Sequence, residues 1–419
     1  MPVQKQVAAS TFVVNLRASI ALAILAAMLT MVSIAQAQTL RILHNFTDAP
    51  DGSNPWGRLS IDRSGSLYGT TEAGGTKYDG GQGIVFRMSA SGENWTMANL
   101  YTFTTDSDGI DPLGVQFGPD GVLYGTTSNG GSVYTLHPSP TISATLLSSW
   151  KISWLYSFPG YDDTYGDVTF DAAGNLYGVT RTGGSNGCSF NRGCGLVYKL
   201  THTGNVWLMT TLYVFQGGAD GANPNGVVFD SAGNLVGTAV SGGTNQTGVI
   251  FQLTPSGDNW SESVLYNFDC YNGGGCEPAA GLTPDSAGNF YGSTIASSGY
   301  SGVIFDLTPS NNGWTYSVLA KIPDKYYGGP YAPLTLDAQG DLYGTVADAG
   351  QRNPGAVFEL TRNGSGWMFT SLHDFTGPPD GSEPMSTVAI APNGKLYGTT
   401  YYGGNGGGLG PGTVWEITP

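Results

Sequence analysis

Histidine is scarce in this chain, with 4 in 419 residues, and cations are few, with 16 Lys and Arg against 31 Asp and Glu. None of the four histidines (His44, His137, His202 and His373) stands in an HExxH pair. No GxSxG elbow, phosphate-cradling loop or metal-spaced cluster occurs either, so common hydrolase, nucleotide and zinc chemistries have no foothold here. A formal charge of −15 without any Lys/Arg cluster repels polyanions, which argues against nucleic acid and anionic lipid as partners. Beyond residue 37 there is no apolar stripe at helical spacing, which points away from an α or α/β fold.

Cysteine is limited to two pairs of identical spacing, Cys188 with Cys194 and Cys270 with Cys276, each bracketing a Gly-containing loop. In an exported chain such pairs oxidise, so two local disulfides are expected. A metal site is the alternative, with no histidine close in sequence to complete it. Export is indicated by residues 1–37: Lys5 and Arg17, an apolar run from Ile20 to Met28, then Ala35-Gln36-Ala37 as a cleavage signal. The alternative, an uncleaved anchor, is disfavoured because the apolar run is shorter than the roughly 20 residues that span a bilayer. The expected product is residues 38–419, a single domain without membrane attachment, secreted or periplasmic, and monomeric.

What the chain has in abundance is repetition. A GxLYG-like anchor begins at Gly65, Gly121, Gly174, Gly233, Gly288, Gly340 and Gly394, at intervals of 52 to 59 residues. Units of this size cannot bury their apolar surface alone and must stack on one another. Each unit resolves into four short segments rich in Val, Phe, Tyr and Thr, separated by Gly, Asp, Asn, Ser and Pro, the signature of a strand meander. In copies such as Asp171-Ala-Ala-Gly174, Asp caps a tight turn and Gly supplies positive φ. The ends complement each other: Thr39–Phe46 reads as a fourth strand lacking its first three, and the chain stops after a third strand, Thr413–Ile417. The prediction is an all-β, seven-bladed β-propeller with four antiparallel strands per blade, the N-terminal strand completing the last one. Trp95, Trp150, Trp207, Trp260, Trp314 and Trp367 share one position in the repeat and are assigned to packing between blades, as is the anchor Tyr.

Units of the form DGxxP, DxxGNLYGTT, GG, GVVFxL and WxxxxLYxF, as in Asp220–Pro224, Asp230–Asn234 and Gly242-Gly243, resemble the GloVer tandem repeats of exported bacterial proteins. The resemblance spans residues 39–419. It implies an exported repeat protein without an established activity, in a family whose members differ in their C-terminal anchors; the absence of an apolar tail before Pro419 favours free secretion.

In a four-stranded meander the fourth-to-first and second-to-third connections emerge on one face, and here these are the long, varied ones. That face gathers the DGxxP and GG loops, both cysteine pairs, and aromatics outside the repeat pattern. Tyr161, Tyr165, Tyr271, Tyr326, Tyr327, Tyr401 and Tyr402 are therefore the candidate ligand-binding residues, for a polysaccharide or protein. Decorated loops without a ligand are the alternative. Asp106, Asp108 and Asp111 crowd three carboxylates into one loop and are a weak calcium candidate; an Asp-Gly turn leading to Pro accounts for them equally well. No other cofactor and no catalytic residue is indicated. The leading expectation is a non-catalytic binding protein; the alternatives are a polysaccharide hydrolase or lyase using channel-facing carboxylates, and an envelope scaffold.

Overall fold

The computed structural model describes residues 38–418 apart from 77–80, 105–109, 139–149, 161, 185–186, 189–191, 205, 258, 298–299, 312, 348–353, 365 and 406–408. The predicted signal lies outside the described residues, as do Tyr161, Asp106 and Asp108. Residues Leu40–Thr418 form one compact unit. Seven four-stranded antiparallel sheets follow one another along the chain as the blades of a β-propeller. Blade 1 runs outward from the central channel as Ser60–Ile61, Leu67–Thr71, Ile84–Ser91 and Asn94–Thr102. In blade 7 the C-terminal segment supplies Ala389–Ile390, Leu396–Thr400 and Thr413–Thr418, and Thr39–Asn45 from the N-terminus forms the outermost strand. The expected closure is present, and Phe46 N donates to Gly412 O at 3.1 Å beside it.

The turn between the first and second strands explains the DxxGN signature. Asp171 Oδ1 accepts from the main-chain N–H groups of Ala173 and Asn175, and Oδ2 accepts from Asn175 Nδ2 and the Tyr177 hydroxyl. Burial opposes the charge, but these donors prevail and hold the Asp171 carboxyl below its usual range. The anchor Gly has a separate reason to lack a side chain. A Cβ on Gly69 would stand 2.7 Å from the Phe86 ring, and one on Gly344 2.6 Å from Phe358, so each third-strand Phe lies flat on a bare stretch of second strand.

The repeated Trp does pack between blades, and its partner is the anchor Tyr of the preceding blade. Ring centroids are 5.9 Å apart for Trp95 and Tyr397, 6.0 Å for Trp150 and Tyr68, 6.5 Å for Trp260 and Tyr177, and 6.4 Å for Trp367 and Tyr291. Where Val236 replaces Tyr, Trp314 leans on Phe290 of its own blade. Where the N-terminal strand carries no Trp, Leu40 and Ile42 join the core that holds Tyr343. At the joint of blades 2 and 3, Trp207 lies against His202, with centroids 4.9 Å apart.

One side chain breaks the inter-blade pattern. Glu262 pairs across the sheet with Leu253 in the register where blades 1, 3, 5 and 6 place Met97, Met209, Tyr316 and Phe369. Its Oε1 is buried without a partner. Burial, reinforced by Asp220, pushes the Glu262 carboxyl up to about 7. Among the described residues, no helix is long and apolar enough to cross a membrane.

Candidate functional site

The loop face converges on the channel mouth through two neighbouring positions of the repeat. The first is the residue before Pro in DGxxP, which is left-handed in five blades: Asn54 (φ 57°), Asp111 (57°), Asn223 (58°), Glu277 (56°) and Glu383 (53°). This turn directs the chain from the outer rim into the first strand. The second is the residue four places after the anchor Tyr, at or near the end of the second strand. The main chain joins the two, since Glu72 N donates to Asn54 O, Arg181 N to Asp163 O, Ile295 N to Glu277 O and Tyr401 N to Glu383 O.

These positions carry different chemistry around the ring. On one side stand Tyr401, Glu72, Ser128 and Arg181; on the other, Val240, Ile295 and Ala347. The polar side is also where aromatic rings meet. Trp56 and Tyr401 are edge to face with centroids 5.7 Å apart, Tyr402 lies 4.7 Å from Tyr401, and the Arg181 guanidinium sits 4.3 Å above the Tyr165 ring. Asn54 Nδ2 donates to Tyr401 O at 3.1 Å, tying blade 1 to blade 7 beneath the rings.

Carboxylates crowd this side. Burial, then Glu72 and Asp163, pushes the Asp111 carboxyl up to about 6. Asp162 and Asp163 are raised as well, first by burial. Tyr401 is held well above the ordinary phenol range by burial and by its hydrogen bond to Glu72. The other Glu72 oxygen, Oε2, is buried without a partner. A buried oxygen left unpaired costs about 1–3 kcal/mol, a cost that an approaching hydroxyl or ammonium would relieve.

Below the mouth the channel narrows to a cavity of about 40 Å³ lined by residues from all seven blades. Arg58 Nε approaches Asp167 Oδ2 at 3.3 Å there, and Arg58 Nη1 donates to Gln116 Oε1 at 3.1 Å. Beyond this pair, which lines both spaces, the channel continues as a wider cavity of about 410 Å³ past Val168, Val228 and Leu336.

The predicted tyrosines divide. Tyr165 lines the channel cavity, and Tyr401 and Tyr402 gather beside it through the ring contact of Tyr401 with Trp56, whereas Tyr271, 86% exposed, and Tyr327, 59% exposed, stand away from this cluster. Tyr326 corrects the expectation of an exposed binding ring. It is 1% exposed, sits in the core that holds Ala320, and donates its hydroxyl to Asp374. Ala320 stands where blades 1, 3, 4 and 6 have Tyr101, Tyr213, Tyr266 and His373, and Tyr326 fills the space that the small residue leaves. Of the calcium candidates only Asp111 is described; no group of three or more His, Cys, Asp or Glu able to hold a metal occurs among the described residues.

Both disulfides are formed, Cys188–Cys194 and Cys270–Cys276. They indicate an oxidising, extracellular or periplasmic environment. His44 and His373 contact Phe46 and Phe375 and also reach the DGxxP carboxylates. Nε2 lies 2.9 Å from Asp51 and 3.1 Å from Asp380, respectively, as the Tyr213 hydroxyl reaches Asp220. Sequence reasoning missed Trp56, Glu72 and Asp163 at the mouth. Their signal was available: they occupy repeat positions that vary from copy to copy without a packing demand.

Virginiamycin B lyase from Staphylococcus aureus is similar in structure, with a TM-score of 0.58 over 91% of this chain and 99% of that one at 15% identity. The extracellular domain of a putative one component system from B. thetaiotaomicron matches at 0.50, over 91% of this chain and 41% of that one at 13% identity. At these identities the likeness is one of fold. No protein of curated function matches the sequence significantly. The Gloeobacter/Verrucomicrobia repeat, by contrast, matches residues 30–151, 131–316 and 295–419, and the chain belongs to that family.

Proposed function

We propose that this protein is a non-catalytic, exported binding propeller that holds an extracellular polysaccharide at the mouth of its channel, on the side formed by blades 7, 1, 2 and 3. The observation that carries this reading is the pairing of edge-to-face rings, Trp56, Tyr401 and Tyr402, with the partnerless buried oxygen of Glu72. Pyranose rings present apolar C–H faces to aromatics and hydroxyl donors to carboxylates, and Arg58 and Asp167 add charged partners where the channel narrows below. The test is isothermal titration of the exported chain with neutral and uronic-acid oligosaccharides. Binding of one of them that falls at least tenfold in the double variant Glu72→Gln, Tyr401→Ala is the expected result; undiminished binding places the ligand elsewhere.

A second reading, a polysaccharide hydrolase or lyase, is favoured by Asp111, whose carboxyl at about 6 beside Glu72 suits a proton donor. The two readings part on product formation. A binder leaves the oligosaccharide intact over prolonged incubation, whereas turnover abolished by Asp111→Asn identifies an enzyme.

A further inference from the structure

The cavity of about 410 Å³ lies toward the face opposite the long loops, where the short first-to-second-strand turns gather. One position of the repeat, three residues before the first-strand partner of the anchor Leu or Phe, sets what projects into it. Blades 1 and 3 place Arg58 and Asp167 there; blades 2, 4 and 5 place Gly114, Gly226 and Gly281. Arg58 of blade 1 reaches Asp167 of blade 3 past Gly114, which puts no side chain in the way.

The backbone accounts for two of these glycines. Gly114 and Gly226 have φ of +146° and +153°, which side chains disfavour. Gly281 has no such constraint, and a Cβ on it would meet only Pro333 Cγ at 3.8 Å and Asn225 O at 4.0 Å, ordinary contact distances. Folding therefore tolerates a side chain at Gly281. What its absence leaves is room in a cavity that Arg58 and Asp167 also line.

Arg58 and Asp167 are the only charged side chains among the described residues that line the channel, and they stay 35% and 31% exposed, so both heads are open to a ligand. Their bonding capacity is not exhausted. Arg58 spends Nε on Asp167 Oδ2 and Nη1 on Gln116 Oε1, out of its five N–H donors, and a carboxylate accepts at about four positions. Because the pair has no net charge, a ligand of one sign is attracted by one member and repelled by the other, whereas neighbouring charges of both signs are met by both. Away from the pair the cavity has an accessible apolar wall, Val228, Pro284 and Leu336, from blades 4, 5 and 6.

We propose that the lower channel binds a free, zwitterionic α-amino acid with an apolar side chain, its carboxylate on Arg58, its ammonium on Asp167 and its side chain along Val228, Pro284 and Leu336. One carbon holds the two charged groups of an α-amino acid, so they lie about as close together as Arg58 Nε and Asp167 Oδ2, at 3.3 Å. The cavity volume falls within the range of small-ligand sites. The site is entered from the face opposite the mouth and uses none of Trp56, Glu72 or Tyr401.

The experiment is isothermal titration of the exported chain with leucine, phenylalanine and methionine, and with the N-acetyl and amide form of each, which keep one charge only. The expected result is saturable binding of at least one free amino acid, with its N-acetyl and amide forms at least tenfold weaker. Gly281→Leu, which occupies the cavity, raises the dissociation constant about tenfold or more while the melting temperature holds, and Arg58→Gln weakens binding to a similar extent. Absence of binding by all three amino acids, equal binding of a singly charged form, or unchanged binding in folded Gly281→Leu overturns the proposal. The singly charged forms are read on the parent chain, so the charge requirement is decided whether or not either variant folds. Oligosaccharide binding at the mouth is measured separately and stands or falls by Glu72 and Tyr401.

Discussion

The two halves of the loop face share one backbone and differ in almost every side chain that the backbone leaves free. Around blades 7, 1, 2 and 3 the position four residues after the anchor Tyr carries Tyr401, Glu72, Ser128 and Arg181; around blades 4, 5 and 6 it carries Val240, Ile295 and Ala347. Beneath both halves the same Gly-on-Phe contact recurs, Gly69 on Phe86 and Gly344 on Phe358. The scaffold therefore does not dictate the rim. Carboxylates gathered on one half, with their ionisation opposed by burial, are a feature that folding alone does not require.

The comparison is most severely tested at the shared level. Phe86→Ala and Phe358→Ala should each cost about 3–5 kcal/mol in urea denaturation, because each removes a ring that a bare glycine was placed to receive. A cost under about 1 kcal/mol on one side alone would break the claim of a common scaffold. Next come the disulfides, one in each half. Replacing Cys188 and Cys194 together, or Cys270 and Cys276 together, with Ser should cost about 2 kcal/mol each, read as a shift of the denaturation midpoint.

Glu262 gives a smaller, pH-dependent effect. Its folded carboxyl is raised from 4.5 to about 7, so between those values the folded state binds more protons than the unfolded chain. Its contribution to stability therefore falls as pH rises through that window. Glu262→Met, which copies Met209, should gain about 1 kcal/mol above pH 7 and progressively less toward pH 5. Thermal melts across that range check the sign, and a gain larger in acid than in base would contradict it. The smallest stability effect belongs to the rim: Glu72→Gln and Val240→Thr should both fall within about 0.5 kcal/mol of the parent. Only the first should weaken oligosaccharide binding, which sharpens the contrast between the halves in a single titration.

The architecture was legible because it is written seven times. The spacing of the LYG anchors, the Asp and Gly of each turn, and the complementary partial units at the two ends point to the same ring. The mouth was only partly legible, since a single copy of a loop gives no register. Tyr165, Tyr401 and Tyr402 were singled out as aromatics outside the pattern and do gather there, yet the same criterion selected Tyr326, which is buried because Ala320 left room for it. Glu72 and Trp56 stand out only when the seven copies are compared position by position; they meet Tyr401 because the left-handed turn at Asn54 draws two distant segments together.

The outermost strand of blade 7, Thr39–Asn45, emerges from the ribosome ahead of every other blade strand, and its hydrogen-bonding partner, Thr413–Thr418, follows all of them. No growing chain can complete its circle before Thr413–Thr418 has been made. Long-range pairing of this kind is slow, so a polypeptide threaded through a membrane during synthesis would stay unclosed until its tail arrived on the far side.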